Sequence, residues 1–455
     1  MRSIVLCRQR AVEIFREFGL APFREILTES DFASVSTSSG CQAKRRRCFT
    51  PEVIVWTMML VAAENTSMIQ GLSLAWGIMG VVCPWLAGRP CVQEESFCEA
   101  RQKLSLSFWR TLWVHLLRKY EERFGAQLLW KGLRVFAIDG TEADVPNAPA
   151  LVHFFTRPKT KLGESKAPQG RLVAVCSIFS GFCLDFVFVS RRFSEHMALQ
   201  HLIRHFREHD LILLDRGFFS YAAIHKITLR KAHFLMRISK HTKGYAKKIK
   251  KLGEDDWLVE FRPSKESRKK QPELPKVLMC RMLHYHINGF RHSWLLTSLL
   301  DPQAFSCEEL VTLYHRRWRI ETIYREWKHT LHIQNLRSHT PIGIRKEIYA
   351  QLLLSNLTRW VMTDAAQGTE KKPVEFSFTS TLTAMRNAFR SMARANPSQR
   401  IYIYQQLLNE IRSHVIRQRP GRSYPRYGDG KPKNKGHGKF LLPSSNAMVR
   451  KRIPA

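Results

Sequence analysis

Leu133-Arg134-Val135-Phe136-Ala137-Ile138 runs into Asp139-Gly140. The run is short and mostly apolar, which suits a strand buried on both faces. Two β-rich runs follow, Arg171 to Phe179 and Phe182 to Ser190, joined at Ser180-Gly181 as in a hairpin. Phe193 to Glu208 has helical spacing, and Leu211-Ile212-Leu213-Leu214 is a second buried strand ending at Asp215-Arg216-Gly217. The order is strand ending in Asp, hairpin, helix, strand ending in Asp. It predicts an α/β layer with acids at the carboxyl ends of strands, where sites form in open sheets.

Outward from this core the texture changes. Residues 1–128 read as helical. Thr50-Pro51-Glu52 has the marks of a helix start: a capping Thr, Pro at the first position and an acid near the positive dipole end. Glu94 to Leu104 and Phe108 to Phe124 again have helical spacing. Thr66 to Gly88 carries no charge, but Gly71, Gly77, Gly80 and Pro84 interrupt it, so a buried helical pair is expected over a membrane span. Residues 216–310 break into short β-like pieces after a helix at Phe218 to Lys231: Phe234 to Ile238, Trp257 to Arg262, Val277 to His286 and His292 to Ser298. They predict a β-rich insertion. Glu308 to Leu331 returns to a long helix, with an apolar helix at Ile348 to Met362 behind it. The expected division is a helical region 1–128, an α/β core of 129–215 and 311–365, an insertion 216–310, and a basic region 366–455.

Charge narrows the partners. The 455 residues carry 73 Lys+Arg against 38 Asp+Glu, a net +35, and 44% are hydrophobic, enough for a sizeable core. A wholly disordered chain is excluded, and a polyanion, nucleic acid first, is the expected partner. From Ile411 to Ala455 there are 12 Lys/Arg and a single acid, Asp429, which predicts an extended tail. Lys44-Arg45-Arg46-Arg47 is either a solvated loop or a DNA-backbone contact. The first residues, MRSIVLCRQR, lack an apolar signal core, and the ten Cys contain no C-x-x-C pair, so reduced thiols are expected.

The long helix holds the densest chemistry. Tyr314, Arg317, Glu321 and Lys328 lie 0, 3, 7 and 14 residues along it. At about 100° per residue they fall within roughly 60° of one another. A salt-bridged solvated face is the plain alternative. Against it, Arg316, Arg319 and Arg325 supply more positive charge than the nearby acids need. A cationic helix with one inward acid suits phosphate binding beside a metal ligand.

The pattern Y-x2-R-x3-E-x6-K, filled by Tyr314, Arg317, Glu321 and Lys328, resembles the signature of the IS-four family of bacterial insertion-sequence transposases. The resemblance covers residues 133–331, and Arg419 to Arg426 is similar to a C-terminal feature of the family. It implies an RNase H-like core whose triad falls on Asp139, Asp215 and Glu321, as both catalytic residues and metal ligands. It further implies two Mg²⁺ ions, with Mn²⁺ able to substitute, and strand cleavage and joining at the ends of a mobile element. Tyr314, Arg317, Lys328 and Arg325 would contact DNA, and Trp294, 20 residues before Tyr314, would stack on a base. Alternation around Trp294 also allows a plain core aromatic. The implied partners are double-stranded DNA, as terminal inverted repeats and target, and a second copy of the chain in a synaptic homodimer. The N-terminal region is expected to bind DNA, and the location to be cytoplasmic, at the bacterial nucleoid, without a membrane. A stand-alone metal-dependent nuclease and an inactive DNA-binding relative are the alternatives; the three acids in context oppose the second. Glu142 and Asp144 read as loop acids beyond the strand, Glu326 as a salt-bridge partner on another helix face, and Asp210 as a cap or turn residue.

Overall fold

The computed structural model describes residues 23–41, 48–83, 86, 88–160, 163–286 and 292–416. Lys44 to Arg47 and the tail from 417, including Arg419 to Arg426, lie outside them. The molecule is mixed α/β around one large sheet. Its strands are β1 (Leu133–Asp144), β2 (Gln169–Ser177), β3 (Cys183–Ser190), β4 (Asp210–Leu214), β5 (His233–Ile238), β6 (Ala246–Gly253), β7 (Asp256–Phe261), β8 (Leu278–Tyr285) and β9 (Ser293–Thr297). Their spatial order is β3-β2-β1-β4-β5-β9-β8-β7-β6, with the two-residue strand Leu129–Trp130 paired to β1. β1, β4 and β5 run parallel, and β2 and β3 are antiparallel to their neighbours.

The buried runs form strands because both faces of the sheet are covered. Val135, Ala137, Leu211 and Leu213 face one core cluster; Phe136, Ile138, Ile212 and Leu214 face another. The expected hairpin is present. Gly181 turns it at φ +73°, and a Cβ there would lie 2.6 Å from Arg359 Nε, so both conformation and space require glycine.

Twelve helices of eight or more residues are present among the described residues. They are α1 (Glu29–Ser38), α2 (Pro51–Glu64), α3 (Met68–Val82), α4 (Glu94–Gln102), α5 (Leu106–Phe124), α6 (Glu195–Leu202), α7 (Tyr221–Leu229), α8 (Cys307–His315), α9 (Arg319–His329), α10 (Pro341–Ala366) and α11 (Phe378–Arg394), with α12 (Pro397–Ser413) after them. Thr50 caps α2 as expected, its hydroxyl accepting from the Val53 amide at 3.3 Å. The N-terminal helices, α9 and α10 pack on the first face of the sheet, α6 and α7 on the second. Every residue of α10 from 350 to 365 is buried, so it is a core helix rather than an amphipathic surface one.

Several expectations are corrected. The uncharged stretch contributes one described helix, α3, packed against α2, and not a pair. No helix among the described residues is long and apolar enough to cross a membrane. β1 continues past Gly140 to Asp144, so Asp139, Glu142 and Asp144 lie within a strand and not at or beyond its end. Its outer half is polar and is held by β2: Asp144 pairs with Gln169 and Glu142 with Arg171 in the register. Phe234 to Ile238 belongs to β5, parallel to β4, and the remaining strands of 216–310 extend the same sheet through β9. β6, Ala246 to Gly253, went unread because four of its eight residues are Lys. It is an edge strand, where exposed lysines block further pairing. Within the basic C-terminal region, Phe378–Arg394 and Pro397–Ser413 are helices.

Candidate active site

The register places the two Asp residues side by side. Ala137 pairs with Leu213, and Leu213 with Leu235. Two residues further along each strand come Asp139, Asp215 and Arg237, a row across three neighbouring strands spaced about 4.8 Å apart. Side chains alternate, so Asp139 and Asp215 share the face of Ala137 and Leu213, the face that α9 covers. β4 ends just before Asp215, which stays extended and caps a 3₁₀ turn, accepting from the Arg216 amide at 2.8 Å. Arg237 Nη2 lies 3.4 Å from its Oδ1. Asp139 Oδ1 accepts from the Gly140 amide at 2.8 Å.

The helix bearing Glu321 is not continuous. α8 ends at His315, a 3₁₀ turn spans Arg316–Trp318, and α9 begins at Arg319. The tighter turn changes the angular spacing, so the single face expected from 100° per residue does not form. Tyr314 is buried and its hydroxyl donates to the Leu214 carbonyl at 3.2 Å. Arg317 is 3% exposed, with Nη1 3.6 Å from Asp139 Oδ2 and Nη2 3.8 Å from Glu321 Oε1. Its buried Nε has no hydrogen-bond partner. Beyond the turn, the Tyr324 hydroxyl accepts from the Ala174 amide at 3.1 Å and donates to the Asp139 carbonyl. Two tyrosines, one on each side of the 3₁₀ turn, thus tie the helix to the two acid-bearing strands.

Charge at the site is finely opposed. Burial pushes the Asp139 carboxyl up from its ordinary pKa, and the Asp215 charge adds to this; the Gly140 amide and Arg317 pull the other way. Burial likewise raises the Tyr314 and Tyr324 hydroxyls, which stay protonated donors. Three hard oxygen donors beside a guanidinium held at ion-pair rather than hydrogen-bond distance form a region that favours positive charge. In kind, these acids fit a divalent cation such as Mg²⁺. Among the described residues, no three metal-ligating side chains are gathered around one point, and Arg317 stands between Asp139 and Glu321.

The other expected DNA contacts are spread out. Arg325 is exposed and Lys328 half-buried on α9. Trp294 is at the same end of the sheet as the acids but packs with the second-face cluster, opposite Asp139 and Asp215. Lys243 Nζ lies 3.7 Å from its ring centre and the Trp257 ring 5.7 Å away. Glu326 pairs with Arg359, as expected. Glu142 is held by Arg191 at 2.6 Å and Arg171 at 3.3 Å, and buried Asp210 by Arg134 at 2.6 Å.

Sequence reasoning missed Tyr324, Arg237 and Glu195. Tyr324 sits three residues past Glu321, where helical spacing alone points it inward. Arg237 follows the β5 run at the same offset that Asp215 follows β4. Glu195 opens α6 behind its Ser194 cap, and burial, with Asp139 among the nearby charges, raises its pKa against the pull of Arg171.

A family defined by sequence matches this region. The Transposase DDE domain family matches residues 130–357, half of the chain and all three acids, and the chain belongs to that family. It is a DNA transposase. It is 27% identical over 398 residues to the transposase InsG for insertion sequence element IS4 of Escherichia coli K12, covering 87% of this chain and 88% of that one. This bears out the IS-four resemblance. It is also 25% identical over 189 residues to the putative transposase InsZ of the same organism, 40% of this chain and 59% of that one. Among solved structures, a cryo-EM piggyBac transposase synaptic complex with hairpin DNA is similar at a TM-score of 0.42 and 11% identity, over 94% of this chain and 91% of that one.

Proposed function

We propose that Asp139, Asp215 and Glu321 hold two Mg²⁺ ions, or Mn²⁺ in their place, and that the chain cleaves and joins DNA at the ends of an insertion sequence with them. The observation that carries this is the parallel register setting Asp139 beside Asp215 under the helix of Glu321, with Arg317 between Asp139 and Glu321. The sheet order, an antiparallel meander of β1 to β3 with β4 parallel beside β1, supports reading 129–215 and 311–365 as an RNase H-like core. Residues 216–310 are then an insertion built onto its edge, 1–128 a DNA-binding domain and 366–455 a basic region.

Held by Asp139, Asp215 and Glu321, a pair of divalent ions would supply activation of an attacking water or 3′-hydroxyl and neutralisation of phosphate charge. The protein's own groups set the geometry. Tyr314 fixes the strand end ahead of Asp215, and Tyr324 fixes Asp139 itself. Arg317 would offer its Nη atoms, which face Asp139 and Glu321, to a phosphate oxygen held there. Lys328 and Arg325 hold the backbone further along α9. Trp294 stacks a base only if the strand passes round the end of the sheet to the second face. A homodimer on paired ends and a cytoplasmic, nucleoid location complete the proposal.

The test is cleavage of labelled end DNA in Mg²⁺. Asp139→Ala, Asp215→Ala and Glu321→Ala should each abolish cutting while DNA binding stays within a few-fold of wild type. Near-normal cutting by any one removes that residue from the set.

A further inference from the structure

The acids so far named all lie on the α9 side of the sheet. A fourth carboxylate approaches from the other side. Glu195 is the first residue of α6, which packs by Ala198, Leu199 and Leu202 on the second face. Its carboxylate lies over the backbone of Gly140, the residue after Asp139. A Cβ on Gly140 would stand 2.4 Å from Glu195 Oε1, 3.1 Å from its Cδ and 3.3 Å from its Cγ. Any other residue at 140 would close this approach. Gly140 has no positive φ, so space and not conformation is what the missing side chain provides.

Glu195 also lacks a structural occupation. It makes no hydrogen bond or ion pair with another described residue, while its neighbours are already engaged. Arg171 holds Glu142 and the Phe193 carbonyl, and Arg191 holds Glu142. Arg171 and His196 attract this half-buried carboxylate only from beyond ion-pair distance, and Asp139 and Glu142 oppose them, so a cation joining it would stabilise it.

We propose that Glu195 is a fourth carboxylate of the divalent-cation site, reaching toward it from the opposite layer across the Gly140 backbone, where the missing side chain leaves room. It is a positioning residue, acting on the bound cation and its waters rather than on DNA. The inference rests on the cation site proposed at Asp139, Asp215 and Glu321. The role adds hard oxygen donors where Arg317 stands among the other acids, and it explains why a glycine follows Asp139.

The test measures Mn²⁺ binding to the full-length protein without DNA, by calorimetry. Glu195→Gln should weaken Mn²⁺ by about tenfold or more, the loss typical when a supporting ligand group is removed. Gly140→Ala keeps the carboxylate but pushes it aside, and should weaken Mn²⁺ similarly. Arg191→Ala, which removes a cation from Glu142 and leaves Arg171 in place beside Glu195, should leave Mn²⁺ affinity unchanged. Unfolding in EDTA serves as the control for folding: Glu195→Gln should be as stable as wild type or more so, because it relieves like-charge crowding. Mn²⁺ affinity within twofold of wild type for Glu195→Gln, with Asp139→Asn losing it, overturns the inference alone. If Asp139→Asn and Asp215→Asn also keep Mn²⁺, the failure belongs to the cation site itself. Should Glu195→Gln not fold, Gly140→Ala decides the matter by the same affinity.

Discussion

Two hydroxyl groups decide how rigidly the acids are presented. Tyr314 and Tyr324 donate to the carbonyls of Leu214 and Asp139, on the two strands that carry the Asp pair. Both hydroxyls are buried, so removing either leaves a strand carbonyl without its partner. Tyr314→Phe and Tyr324→Phe should each cost about 1–3 kcal/mol of stability, measured by urea unfolding. They should also slow cleavage of end DNA with little change in its binding. Tyr324→Phe should be the more severe for cleavage, because Asp139 itself is the residue released. Equal stability and rate in both variants would mean that the bonds are not maintained in solution.

At the scale of elements, the break between α8 and α9 controls which residues do what. A continuous helix would align Tyr314, Arg317, Glu321 and Lys328. The 3₁₀ turn instead sends Tyr314 and Arg317 inward and leaves Glu321 and Lys328 more open. Arg317→Ala should therefore impair the first nick, since it removes the cation between Asp139 and Glu321. Lys328→Ala should affect only retention of the cut end. A time course resolving nicked, double-cut and joined DNA separates the two outcomes; identical profiles would put both side chains in one role.

Another element-level contact predicts acid sensitivity. Asp31 on α1 lies between Lys119 and His115 of α5, at 2.8 Å from each. Burial alone would raise its pKa, but Lys119, the Thr28 amide and His115 outweigh it and hold the carboxyl at about 2. A depressed carboxylate stabilises the fold above its unfolded pKa near 4, and that contribution is lost as pH falls from about 4 through 2. Allowing for partial solvent screening, it amounts to roughly 1 kcal/mol. Urea unfolding of Asp31→Asn should show this deficit at pH 7, and the gap to wild type should narrow between pH 4 and pH 3.

The same elements mark what the sequence made legible. Buried runs such as 211–214 are apolar at every position, and an Asp following such a run, as Asp139 and Asp215 do, is a signal that needs no partner to be seen, although β1 itself runs on past Asp139. β6 was invisible because an exposed edge strand is written in lysine. The 3₁₀ turn was invisible because Arg316, Arg317 and Trp318 suit an α-helix equally well, and tertiary contacts decide between the two. Trp294 was legible as one side of an alternating strand, but not as the side away from Asp139, since alternation does not label its faces. Glu195 could be found only by knowing that Gly140 and α6 meet.

For the whole molecule, net charge sets the conditions of binding. The excess of +35 predicts that affinity for any duplex falls by about 0.9 log units per neutralised phosphate for each tenfold rise in salt. Eleven of the 73 Lys+Arg lie at 417–455. Removing that segment should flatten the slope of log K against log salt, measured by fluorescence anisotropy on random duplex. An unchanged slope would show that those cations do not touch DNA.

The central strand β1 meets its parallel neighbour only after 76 residues, and its third acid only after 182, counted from Asp139 to Asp215 and to Glu321. Synthesis runs at about 5–20 residues per second, so a chain emerging from the ribosome holds its first acid for roughly 9–36 s before the last is made. Through that interval it carries part of its basic charge, while the set of acids proposed for cleavage is incomplete. A message broken or frameshifted anywhere in this span fixes that state permanently: it encodes a basic chain without Glu321, in which the proposed set of acids is never completed.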